Sequence, residues 1–182
     1  LGDVYKRQGN LQTTALSRVL SARGLDSIAR NMERQQFILE TTDNDKRRDQ
    51  AIKKFTRLEE RFNDLGGYKA KGDAARICNS LGLEQRVLSE TLEHLSGGQR
   101  RRVELARILF GSSHADGSKA GTTLLLDEPT NHLDADSIQW LREFLSQYTG
   151  GLIVISHDTG LLDAVVNKVW FLDSIRACLL YT

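Results

Sequence analysis

The sequence predicts an α/β protein with a parallel-sheet core, and three observations carry that expectation. Stretches 122–126, 152–155 and 168–172 are short and nearly continuous in apolar residues. Helical patterns at 135–147 and 158–165 separate them. Strands of that composition, alternating with helices, belong to parallel sheets covered on both faces. The third observation is that two of these strands end abruptly on polar residues, Asp127-Glu128 and Ser156-His157-Asp158.

The bulk properties narrow the field. A length of 182 residues suits one domain. Lys and Arg total 25 against 24 acids, so overall charge makes no case for a nucleic-acid or membrane partner, and only local patches could. Cys78 and Cys178 stand far apart and form no disulfide framework, which fits a reducing cytosol. No apolar run approaches the ~20 residues that a membrane-spanning helix needs.

Along the chain, residues 1–9 carry little pattern. A helix is expected over 9–23, with Leu11, Leu16, Val19 and Leu20 on one side and Gly24 as its breaker. Over 25–65, Leu25, Ile28, Met32 and Leu39, then Ile52, Phe55, Leu58, Phe62 and Leu65, recur at helical spacing. The polar turn 41–45 divides them, so two antiparallel helices in a hairpin are expected, closed by Gly66-Gly67. Two short helical pieces around Gly82 fill 70–90. Residues 92–110 lead into an amphipathic helix with Val103, Ala106, Leu109 and Phe110 on one face. The stretch 111–121 reads as a small polar loop without the glycine and lysine spacing of a phosphate cradle.

Three motifs carry chemistry. Leu95-Ser96-Gly97-Gly98-Gln99 opens a helix and is followed by three arginines. A helix N-terminus offers unpaired N–H groups to phosphate oxygens, and glycines allow close approach. An ordinary serine-capped helix start is the plainer alternative. The strand at 124–126 delivers Asp127 and Glu128 to its carboxyl end, where ligands of open α/β sheets sit. Asp127 suits Mg²⁺ or its waters, and Glu128 suits orienting or deprotonating a water. Solvated surface acids are the alternative. His157 follows another apolar strand, where it can reach a terminal phosphate, unless Ser156 or Asp158 only caps the next helix. Asp134 is an N-cap candidate, a partner contact, or both.

In this order the three motifs resemble an ABC-type ATPase domain. Residues 95–99 match its signature, 124–128 its Walker B strand with catalytic glutamate, Leu133-Asp134 its D-loop and His157 its switch histidine. The run Glu128-Pro129-Thr130-Asn131-His132-Leu133-Asp134, with a helical hairpin ahead of the signature, resembles the ABC-F subfamily.

The resemblance implies ATP and Mg²⁺. Glu128 and His157 would be catalytic, and Asp127 would hold the metal. Ser96, Gly97, Gly98, Gln99 and Asp134 would meet nucleotide across the face of a second ABC ATPase domain. It implies a soluble cytoplasmic protein acting on the ribosome, in translation or antibiotic resistance, with the hairpin as an arm touching RNA and no membrane insertion. An ATP-binding subunit of a membrane transporter and a non-catalytic binding fragment are the competing readings.

The expected organisation is a partial domain over 10–173. It comprises the arm at 25–66, the signature subdomain at 70–110 and the Walker B core at 122–173. The Walker A loop and Q-loop that should precede residue 10 are absent from the sequence. Ends 1–9 and 174–182 look non-native, so an N-terminally truncated piece that is inactive alone is expected.

Overall fold

A computed structural model of the chain describes residues 11–113, 122–172 and 177–181. The expected end at 1–9, most of the loop at 111–121 and residues 173–176 and 182 lie outside the described residues. The chain forms two compact units, Leu1–Ser118 and Lys119–Thr182.

In the first unit, helix α1 covers only Ala15–Leu20. The helix expected over 9–23 begins later because residues 11–14 spend their backbone groups elsewhere. Leu92 N–H donates to Thr13 O, Glu93 N–H to Leu11 O and Ala15 N–H to Glu90 O, and Thr14 bridges Thr91. Long-range backbone pairing therefore outweighs local helical periodicity here. The Thr14 hydroxyl then caps α1 by accepting from Ser17 N–H at 3.3 Å. A 3₁₀ turn over Ser21–Arg23 runs into Gly24, whose φ of 70° breaks the helix as expected.

The hairpin forms from α2 (Leu25–Thr41) and α3 (Asp45–Asp64). Asn44 caps α3, accepting from Arg47 N–H at 3.1 Å, and Arg48 donates back to Thr42 O at 2.9 Å. The buried seam differs in one place from the expected stripe. Ala51 is buried, whereas Ile52 is exposed.

Gly66 ends α3 with φ 67°, but Gly67 already opens α4 (Gly67–Ser80). A Cβ at Gly67 would run into the buried ring of Phe62. Gly67→Ala is therefore expected to destabilise the chain by about 1–3 kcal/mol through overpacking. A denaturant midpoint unchanged from wild type would contradict this.

After α4, Gly82 (φ 71°) and a 3₁₀ turn over Gln85–Ser89 lead to α5 (Gly97–Ser112), which extends two residues into the expected loop. The face of α5 expected to be apolar is the one that is buried: Val103, Ala106, Leu109 and Phe110 are fully enclosed with Ala15, Val19, Ala74 and Cys78.

Beside this core, Glu104 accepts from Arg18 at 2.5 Å and from Arg107 at 2.8 Å. Burial pushes the Glu104 carboxyl up, but these two guanidinium bonds outweigh it and hold the group below its ordinary 4.5. A depressed folded-state pKa means stability that is complete above pH 4.5 and lost as pH falls through the folded value. Glu104→Gln is accordingly expected to flatten the acid limb of a stability–pH curve. A limb as steep as wild type would contradict it.

In the second unit, β1 (Thr123–Asp127) and β2 (Gly151–Ile155) pair in parallel, from Thr123 opposite Gly151 to Asp127 opposite Ile155. Helix α6 (Ala135–Ser146) is the crossover. After α7 (Thr159–Val165), β3 (Lys168–Leu172) pairs antiparallel with β4 (Ala177–Tyr181).

Two expectations change. Among the described residues, β3 does not join the parallel sheet. Its partner lies only a few residues on, so the antiparallel pairing closes with little loop entropy. Nor is the parallel sheet covered on both faces. Leu124 and Leu126 are buried, while Leu125 (67%), Ile153 (58%) and Ile155 (62%) on the other face are exposed. The apolar run recorded a strand, but the cover for one face is not supplied by any described element.

Candidate functional site

The signature turn is built by α5 and the residues that enter it. Leu95 is buried and anchors the approach. Ser96 is the N-cap: its Oγ accepts from Gln99 N–H at 3.2 Å, and Gln99 Oε1 accepts from Ser96 N–H at 2.9 Å. This is a reciprocal capping box, so the plain serine-cap reading holds as a fact of the local structure. It leaves the Ser96 hydroxyl proton and the Gln99 NH₂ group as donors, with the N–H groups of Gly97 and Gly98 in the open first turn.

Two of the following arginines reach backbone carbonyls, one in this turn and one in the loop after α4. Arg100 Nε donates to Leu95 O at 2.9 Å, and Arg102 Nη1 donates to Gly82 O at 2.8 Å. Sequence spacing showed the basic run but gave no sign that its members reach backbone carbonyls. A Cβ at Gly97 would meet open space, and Gly97 lies in an ordinary helical turn. The fold itself therefore does not require glycine there.

In the second unit, β1 ends at Asp127, which is exposed at the sheet's carboxyl end. Glu128 turns out of the strand with φ 46°, while its N–H donates to Ile155 O at 2.8 Å. Asn131 N–H returns to Glu128 O at 3.2 Å and Leu133 N–H to Thr130 O at 3.2 Å. His132 also has a left-handed φ, 69°. Such non-glycine conformations cost about 1–3 kcal/mol each and persist where neighbours over-determine them. Here the buried Pro129 and Thr130, and the bonds just given, do so. Asp134 caps α6, accepting from Ser137 N–H at 2.9 Å.

At the end of β2, Ser156 Oγ accepts from Asp158 N–H at 3.1 Å. Asp158 caps α7 through Leu161 N–H at 3.0 Å and takes a bond from Arg142 Nη2 at 3.0 Å. The Leu161 N–H bond is the main cause of a lowered Asp158 carboxyl; burial opposes it, and Arg142 adds to it. Arg142, sixteen residues upstream on α6, is a supporting residue that no local sequence signal marks.

Asp158 caps the next helix without enclosing His157. The turn leaves His157 77% exposed, with Nδ1 2.8 Å from Glu128 Oε2. The distance suits an ion pair when the imidazole is protonated. The alignment is not that of a hydrogen bond, and Oε2 is buried with its acceptor capacity unspent.

The structure thus gathers Asp127, Glu128 and His157 at the carboxyl ends of two paired parallel strands, with Asp134 opening the next helix. Ser96, Gly97, Gly98 and Gln99 belong to the first unit. Of the tryptophans, Trp140 is half-buried with its ring centroid 5.4 Å from that of Phe144, and Trp170 is 74% exposed. Neither is framed as a base-stacking platform.

Among the described residues no group of three or more His, Cys, Asp or Glu side chains is arranged to hold a metal by itself. A single exposed carboxylate, Asp127, suits Mg²⁺ that keeps its waters and is shared with phosphate oxygens.

The ABC transporter family model matches residues 12–131. The "Putative ATP-binding protein YdiF" of Bacillus subtilis is 38% identical over 119 residues, covering 65% of this chain and 17% of that protein. "ABC transporter F family member 4" of Arabidopsis thaliana is 36% identical over 121 residues, covering 66% of this chain and 16% of the relative. "Energy-dependent translational throttle protein EttA" of Haemophilus influenzae is 49% identical over 82 residues, covering 45% and 13%. The chain spans less than a fifth of the length of each of these three relatives. No helix among the described residues is long and apolar enough to cross a membrane.

Proposed function

Because this chain belongs to the ABC transporter family, with an F-family member among its relatives, we propose that it is part of an ABC-F ATPase. In this reading it binds and hydrolyses ATP with Mg²⁺ and couples that cycle to the ribosome. The observation that carries the reading is Glu128. Its backbone is held left-handed at a strand mouth, and its buried Oε2 has acceptor capacity to spare beside an exposed His157.

Each residue then has a role. The Glu128 carboxylate accepts a hydrogen bond, and then a proton, from the water that attacks the γ-phosphorus. His157 reaches toward the terminal phosphate and keeps Glu128 oriented. Asp127 would hold Mg²⁺, which when bound would supply neutralisation of the phosphate charge. Asp134 lies where a partner domain would be met. The donors of Ser96, Gly97, Gly98 and Gln99 face a nucleotide held by a second ABC ATPase domain, completing its phosphate site. The 182 residues contain no Gly-x-x-x-x-Gly-Lys-Ser/Thr loop, so this stretch alone is assigned little or no turnover.

The link to translation rests on EttA, whose name describes a translational throttle protein, and on a group of cations on the hairpin. Lys46, Arg47, Arg48, Lys53, Lys54, Arg57 and Arg61, set among Asp43, Asp45, Asp49, Glu59 and Glu60, supply cations suited to RNA phosphates. Co-sedimentation with ribosomes tests it in a protein that carries this stretch together with both ATPase domains. Binding is expected to need ATP and to weaken as salt rises. Binding that is indifferent to nucleotide would overturn the coupling.

Gly97 offers a second test. Gly97→Ala is expected to leave the unfolding midpoint unchanged or to raise stability by up to about 1 kcal/mol, since alanine suits a helical turn better. The same change is expected to impair ATP-dependent closure of the paired domains, because the new methyl group occupies the phosphate approach. Full ATP-dependent activity in that variant would contradict the assignment.

A further inference from the structure

The hairpin carries a feature outside the ATP site. A groove of about 500 Å³ opens between α2 and α3. Its lining includes Arg34, Gln35 and Ile38 from α2 and Lys54, Arg57 and Leu58 from α3. No carboxylate lines it. Among the described residues none of these three cations makes an ion pair, although Arg30, Arg76, Arg86, Arg107 and Arg142 elsewhere all do.

Placing three cations around one concavity without a counter-charge raises their mutual repulsion. An anion seated between them relieves it. The volume is that of a small-molecule site, typically about 300–1,000 Å³. The apolar lining gives an organic portion a surface, and the amide gives it a hydrogen-bond partner. Lys54 and Arg57, counted above among the cations suited to RNA phosphates, here share one groove with Arg34, and an RNA arm of the test separates the two assignments. Arg34, Lys54 and Arg57 are exposed along an open groove that mixes polar and apolar lining.

We propose that this groove binds a small organic oligophosphate, its phosphates spanning Arg34, Lys54 and Arg57 and its apolar portion resting on Ile38 and Leu58. The site is separate from the Asp127–Glu128–His157 cluster and does not depend on what that cluster does.

The test titrates the 182-residue chain with ADP in the absence of magnesium, and separately with inorganic tripolyphosphate, at low ionic strength. The readout is amide chemical shifts or calorimetry. Saturable binding is expected for both probes, with shifts on α2 and α3. Arg34→Gln with Arg57→Gln is expected to weaken it by at least about tenfold, the worth of one or more charge-assisted bonds. The paired change Arg34→Lys with Arg57→Lys keeps the charge and is expected to retain most of the affinity. Circular dichroism of each variant verifies that the hairpin is folded.

Any of three outcomes overturns the proposal. One is no saturable binding. Another is binding that the glutamine pair leaves intact, which assigns the phosphates elsewhere. The third is that neither probe binds while a short RNA oligonucleotide, titrated alongside them, does, which makes the groove part of a nucleic-acid surface.

Discussion

Replacing Glu128 by Gln, in a protein that carries this stretch together with a phosphate-binding loop, is expected to lower ATP turnover by roughly 10²–10⁴-fold, the usual worth of a positioned general base. ATP affinity is expected to change little. The amide keeps the size of the side chain and its place at the strand mouth, and only the group that takes the water's proton is lost. Nothing in the backbone argues for a secondary loss of fold, because the left-handed φ of 46° is a property of the turn and glutamine tolerates it no worse than glutamate. Nucleotide should therefore accumulate unhydrolysed. Single-turnover hydrolysis of labelled ATP, measured beside equilibrium binding, separates the two. Turnover within tenfold of wild type would assign the base to another group and remove the chemical role given to this carboxylate.

The largest expected loss of stability is at Phe110. Its side chain is fully buried, the Arg23 guanidinium lies 3.9 Å from the ring centroid, and Arg23 Nε donates to Phe110 O at 3.1 Å. Phe110→Ala removes a ring from the centre of the first unit and leaves a cavity that neighbours fill only partly, at a cost of about 3–5 kcal/mol. The cation–ring contact adds up to about 1 kcal/mol more where the guanidinium is partly desolvated. Phe37, exposed on α2, is the control: its alanine variant should shift stability by no more than about 0.5 kcal/mol. Denaturant unfolding followed by helical circular dichroism compares the pair. Equal midpoints for the two variants would show that the enclosed cluster around Phe110 is not the core of this unit.

How far the site could be read beforehand depended on how local each cause is. Ser96 and Gln99 stand three apart at a helix start, and a reciprocal cap needs only those two side chains and the adjacent backbone. Asp134 and Asp158 cap helices for the same reason. The acid pair after Leu124-Leu125-Leu126 needed only the rule that a buried strand delivers polar residues at its end. By contrast, no nearby residue announces that Arg100 reaches Leu95 O, that Arg102 reaches Gly82 O, or that Arg142 supports Asp158. Those bonds depend on where a turn brings the chain, over separations from 5 to 20 residues.

The amino-acid sequence by itself determined the α/β class, the hairpin, the signature helix and the identity of the polar residues at the two strand ends. Each follows from hydrophobic period, capping chemistry or residue type within a few positions. Tertiary structure alone decided that residues 11–14 pair with 90–93 and do not lengthen α1, and that β3 turns back on β4. It also decided that the exposed His157 imidazole comes within 2.8 Å of Glu128. These outcomes rest on backbone groups and side chains far apart in sequence competing for the same partners, and only the folded chain settles which partner is taken.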